Sequence, residues 1–174
     1  DLYVAVTGFF GKTASGLKIL LENLSAPTDI NEKLVNAVFM PCARLKEGLV
    51  LAQTRAGTAS IDSSDGLSWS LHEISRASNV GFVIDNVPIA SEVKKFAEIH
   101  GLNSVELSLY GGEEYELLVT IKPKFWQEAK EAVKNVGGSL IKIGSATKEK
   151  GLLLKRMGKT VPIEARGWEH FKTA

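Results

Sequence analysis

Two aspartates and two serines crowd into the run Asp62-Ser63-Ser64-Asp65-Gly66-Leu67, where a strand-patterned segment gives way to a helix-patterned one. Backbone N–H groups at a helix start attract anions, and Ser64 is placed to cap them. Two carboxylates at the same point would repel a phosphate unless a divalent cation bridges them. Mg²⁺ takes one or two protein carboxylates and completes its shell with phosphate oxygens and water. The run therefore suits a Mg²⁺–polyphosphate site. It equally suits a well-capped helix whose acids merely favour the positive end of the helix dipole.

A second run, Gly111-Gly112-Glu113-Glu114-Tyr115-Glu116-Leu117, places three carboxylates directly after a Gly-Gly pair. Such a pair lets the backbone turn sharply or approach a ligand closely. Either one of the acids faces a ligand as a strand begins, or they are solvated side chains at a turn. The third run is Arg166-Gly167-Trp168-Glu169-His170-Phe171. Trp168 is a possible platform for a flat or cationic ligand, and the alternative is an aromatic tail that seals a core. Near the start, Gly8-Phe9-Phe10-Gly11-Lys12-Thr13 resembles a phosphate-binding P-loop. The match fails, because the motif needs glycine where this chain has Val6. An anion site at the helix start survives that mismatch.

These residues must be positioned by the elements around them. Residues 2–6 read as a short apolar strand. Leu17, Leu20, Leu21 and Leu24 recur at helical spacing, with Thr13 as the cap. Pro27 marks a turn, and a second helix runs from Asn31 to the neighbourhood of Pro41. Residues 58–61 form a strand entering the 62–66 loop, followed by a helix with Leu67, Leu71, Ile74 and Ala77 on one face. Residues 80–87 read as a strand and 90–100 as a helix closed by Gly101. Tyr115, Leu117, Val119 and Ile121 alternate as a strand does, and Phe125, Ala129, Val133 and Val136 form an amphipathic helix stopped by Gly137-Gly138. Two short strands follow, over 140–143 and 152–155. Strands alternating with helices predict a layered α/β domain, and no repeat or linker divides residues 1–174.

Composition narrows the class. Of 174 residues, 44% are hydrophobic and 24% charged, the balance of an ordinary globular domain. With 21 basic against 20 acidic residues and no like-charge block, neither a nucleic-acid nor a membrane surface is implied. Cys42 is the only cysteine, which excludes an internal disulfide and agrees with a cytoplasmic protein. His72, His100 and His170 show no metal-ligand spacing. No apolar run approaches the ~20 residues needed to cross a bilayer. The chain opens at Asp1 directly into a strand, which carries the expectation that it is cut from something longer.

Taken in order, the three motifs resemble the second half of thiamine-monophosphate kinases, whose pattern runs D-x-S-D-G-L, then G-G-E-[DE]-Y-E-L, then G-W-x-H-F. Val6-Thr7-Gly8, Ser15-Gly16-Leu17 and Pro41 with Arg44 add to the resemblance, which covers nearly the whole chain. Lys12 departs from it, standing where an acidic residue is commoner. The resemblance implies a mixed sheet flanked by helices, as in the C-terminal domain of aminoimidazole ribonucleotide synthetase. It implies an N-terminal domain, absent from this chain, carrying much of the ATP site. By the same token Asp62 and Asp65 would contact Mg²⁺, Ser64 a nucleotide phosphate, and Glu113 and Trp168 the substrate, thiamine phosphate. No residue here is implied to act as an acid, base or nucleophile. A cytoplasmic homodimer is implied for the whole protein. Two other readings share the fold: a related ATP-dependent synthetase or maturation enzyme, and a non-catalytic binding or assembly domain.

Overall fold

In β1 (Tyr3–Val6) Val4 and Val6 point to one side and Ala5 to the other, and all three are fully buried. A strand with no solvated face belongs inside a sheet covered on both sides. A computed structural model describing residues 1–167 has this arrangement. The sheet order is β2 (Gly57–Asp62), β4 (Leu117–Ile121), β1, β5 (Ile141–Thr147), β3 (Gly81–Ile84), β6 (Leu152–Arg156) and β7 (Lys159–Pro162). Neighbours run antiparallel except β3 and β6, so the sheet is mixed.

Period-2 alternation divides the apolar residues between the two faces. Helices α4 (Leu67–Ser78) and α6 (Ser104–Tyr110) cover one face, where Leu67, Leu71 and Leu109 pack on Val4, Val6 and Leu118. On the other, α3 (Leu45–Thr54) and α7 (Trp126–Asn135) bring Leu51, Ala129 and Val133 onto Ala5, Val119 and Ile121. A third cluster joins α2 (Thr28–Phe39) to α5 (Ser91–His100) through Ile30, Leu34, Val93 and Phe96, with Ala14 and Ile19 of α1 (Lys12–Glu22) packed against it. The expected α/β class is the one observed.

Three elements had no readable pattern. In α3, Leu45 and Leu49 are 69% and 55% exposed while Glu47 is buried, so its sequence does not show which face packs. The short α6 is set by its cap, Asn103, whose Oδ1 accepts from the Val105 and Glu106 N–H groups at 3.0 and 3.4 Å. Every residue of β7 is exposed. Two local expectations need correction. Thr13 does not cap α1: its N-cap is Gly11, and the Thr13 hydroxyl donates instead to the Glu113 carbonyl at 3.2 Å. Tyr115 stands outside β4 in a left-handed conformation, φ 54°, so the strand begins at Leu117.

Register places the chemistry at one end of the sheet. Asp62, the last residue of β2, pairs with Leu117, the first of β4, and Val6 at the end of β1 pairs with Leu118. The 62–66 and 111–116 loops and Thr7 therefore emerge side by side.

Candidate functional site

Two loops meet here backbone to backbone. The Glu113 N–H donates to the Ser64 carbonyl at 2.7 Å, and the buried Ser63 hydroxyl accepts from the Glu116 N–H at 3.0 Å. Glycine makes the approach possible: a Cβ on Gly112 would lie 2.8 Å from the Ser64 carbonyl oxygen. Gly66, with φ 103° and ψ 153°, holds a conformation that side-chain-bearing residues almost never adopt. It turns the chain from the acidic loop into α4.

Asp62 is exposed and Asp65 half-buried. One Asp62 oxygen accepts the Ser64 N–H at 3.1 Å, closing a tight local turn. Ser64 therefore does not cap the helix as expected; the N-cap of α4 is Gly66, which offers no side-chain cap. Glu113, also left-handed at φ 65°, accepts the Tyr115 hydroxyl at 2.5 Å. The Tyr115 phenol is raised above its usual range, first by that hydrogen bond, then by burial and the charges of Glu113, Asp62 and Asp65. Three of the carboxylates singled out in the sequence thus act on one hydroxyl. Asp62, Ser64, Asp65 and Glu113 are brought together. Trp168 lies outside the described residues.

The last described residues approach the same place. Gly167 packs on the Asp65 carbonyl and on Trp69, leaving no room for a Cβ. Arg166 lies over the Tyr110 ring at 3.7 Å and pairs with Glu106 at 2.5 Å and Glu164 at 3.0 Å. The third motif therefore reaches the first at residue 167.

The arrangement includes side chains that local reading passed over. Glu114 fills the anion site at the start of α1: its Oε1 accepts the Thr13 N–H at 3.1 Å. Burial pushes its carboxyl up to about 7, against the opposing pull of the Thr13 N–H, Lys12 and the Gly11 N–H. The false P-loop thus carries an internal carboxylate. Glu116 is nearly fully buried, with its carboxylate gripped by Arg44 at 2.7 and 2.8 Å and by the Thr7 hydroxyl at 2.7 Å. Pairing and three hydrogen bonds offset the large penalty of burying a charge. The run of three acids gave no sign that these two turn inward while Glu113 faces out, because that choice is made by partners about 70 or more residues away in sequence.

A cleft of about 420 Å³ opens beside Asp62 and Tyr115, walled by Arg44, Leu45, Leu49 and Leu117. A larger one of about 550 Å³ between α2 and the start of α5 shares only Lys12 with the surroundings of Glu113 and Glu114. Among the described residues no three His, Cys, Asp or Glu side chains are grouped to hold a metal ion. An open carboxylate pair fits Mg²⁺ completed by phosphate and water better than an all-protein cage.

Residues 4–155 match the family described as "AIR synthase related protein, C-terminal domain". This chain belongs to that family. A thiamine-monophosphate kinase of Nitrosopumilus maritimus is 38% identical over 172 residues, 99% of this chain and 54% of that protein. One from Pyrococcus horikoshii is 35% identical over 171 residues, 97% and 50%. The solved structure described as "AaThiL complexed with AMPPCP and TMP" superposes with a TM-score of 0.80 at 29% identity, covering 98% of this chain and 51% of that one. The chain spans about half the length of the relatives it matches. No helix among the described residues is long and apolar enough to cross a membrane.

Proposed function

We propose that this chain is the C-terminal half of a two-domain enzyme that phosphorylates thiamine phosphate to thiamine diphosphate with ATP. The likeness to thiamine-monophosphate kinases over 172 residues at 38% identity carries the reading. That a relative was solved with AMPPCP and TMP supports a nucleotide and a thiamine phosphate as the two substrates. In this assignment residues 1–174 form one domain and an N-terminal domain supplies most of the ATP site. The resemblance extends the proposal to a homodimer in the cytoplasm.

The side chains divide the work. Asp62 and Asp65 would hold Mg²⁺, which would supply positive charge between the donor and acceptor phosphates. Ser64, in the same turn, would meet a nucleotide phosphate. Glu113 offers a carboxylate to the cationic thiazolium, and Trp168 an indole to the flat rings. The γ-phosphorus forms a bond to an oxygen of the acceptor phosphate while its bond to the ADP oxygen breaks. The acceptor is already anionic, so positioning and charge neutralisation matter more than a general base.

The deciding experiment uses the two-domain protein containing this chain, with ATP, Mg²⁺ and thiamine phosphate, and follows thiamine diphosphate by chromatography. The wild-type protein should form it, and Asp65→Asn should slow turnover by about a hundredfold or more with the fold intact. Absence of product from the wild type would overturn the reaction. Normal turnover by Asp65→Asn at saturating Mg²⁺ would overturn the metal assignment. Alone, residues 1–174 should bind thiamine phosphate without turning it over.

A further inference from the structure

One residue of the second motif, Glu116, is buried behind the exposed Glu113 and joins three other segments of the chain. Through its side chain Glu116 reaches Arg44, on the connection between α2 and α3, and Thr7, just beyond β1. Through its N–H it reaches Ser63, in the acidic turn. The adjacent Leu117 N–H closes the circuit on the Thr7 hydroxyl at 2.8 Å. Three stretches distant in sequence, at Thr7, Arg44 and Ser63, thus meet at Glu116, the first two through its buried carboxylate and the third through its N–H.

The segment it holds is strained. Glu113 and Tyr115 both have left-handed backbones, with φ of 65° and 54°, and neither is glycine. Such conformations persist only where the surroundings over-determine them. The left-handed turn sets Glu113 outward and lets Tyr115 reach back to its carboxylate. Immediately after it the chain must satisfy the Glu116 contacts in one geometry. A planar guanidinium fork permits far fewer arrangements than a lysine ammonium would.

We infer that the Arg44–Glu116 pair is a positioning device that holds the 113–115 turn in its left-handed form and so aims Glu113 at the ligand. The link to a ligand rests on the proposed function; the link to the backbone does not. Glu116 is buried and acts through the turn, while Arg44 also walls the cleft beside Asp62 and Tyr115, so the backbone shifts and not affinity decide its positioning role.

The test uses the 174-residue chain and the variants Arg44→Lys, Glu116→Gln and Thr7→Val. Backbone ¹³C shifts at Glu113 and Tyr115 report their left-handed conformation by NMR, and calorimetry reports thiamine phosphate binding. In folded Arg44→Lys the two shifts should move towards extended values while amide protection at residues 119–121 is retained. Affinity for thiamine phosphate should fall by about tenfold or more, on the scale known for groups that orient metal-ligating side chains. Thr7→Val, which keeps the ion pair, should show the smaller change of the same kind. Unchanged shifts at Glu113 and Tyr115 in folded Arg44→Lys would overturn the inference. So would global unfolding of all three variants, which would make the network a stability element only. Failure of the wild type to bind thiamine phosphate would strike the functional reading alone, since the backbone shifts would still decide the positioning.

Discussion

Glu114 lies between two opposing forces, and neutralising it measures which one wins. Its carboxyl sits at the start of α1, where N–H groups favour the charged form, yet burial dominates and raises it from 4.5 to about 7. Below pH 4.5 both the folded and the unfolded chain carry the protonated acid. Between 4.5 and 7 the unfolded chain releases its proton while the folded one retains it, so stability falls as pH rises and the loss is complete above 7. At about 1.4 kcal/mol per pH unit of separation the ceiling is about 3.5 kcal/mol. Because the residue is only half-buried, water should reduce the observed effect to about 2 kcal/mol. Glu114→Gln keeps an oxygen acceptor for the Thr13 N–H and removes the titration. Urea unfolding of wild type and Glu114→Gln from pH 4.5 to 8 isolates the residue, provided the two share one m-value. Wild-type stability minus that of Glu114→Gln should decrease by about 2 kcal/mol across that range. A difference that stays flat would refute the reasoning. A difference that grows with pH would mean that the helix start outweighs burial.

Gly66→Ala forces a side chain into a conformation reserved for glycine and places a Cβ 3.1 Å from the Gly111 carbonyl oxygen. It should lower unfolding stability by about 1–3 kcal/mol, and a loss under about 0.5 kcal/mol, the level of an ordinary surface change, would show that the two loops yield to each other. In the two-domain protein, Trp168→Ala should raise the KM for thiamine phosphate about two- to thirtyfold, the value of one cation–π contact, with the KM for ATP unchanged. Equal effects on both substrates, or a matching loss of thermal stability, would return Trp168 to a packing role.

Much of this protein was legible from local chemistry. The short apolar run at Tyr3–Val6, the stripe of Leu67, Leu71 and Ile74, and the alternation through Leu117, Val119 and Ile121 each name an element, because burial on one face imposes its period on the sequence. The Gly111-Gly112 pair marked a place where the chain turns or approaches closely, and the acids of the first two motifs, singled out by type, come together in the fold. Local chemistry did not show which acid does what. Glu113, Glu114 and Glu116 are the same residue type within four positions, and their roles differ through Tyr115, the start of α1 and Arg44. Nor did it show that Thr13 would give its hydroxyl to the Glu113 carbonyl instead of capping its own helix. Propensity and periodicity are properties of neighbouring residues, so sequence alone determined most of the elements and singled out the acids of the first two motifs as a candidate site. The fate of a buried charge is set by partners that the sheet register brings within 3 Å from as far as 109 residues away, and only the tertiary structure decided it.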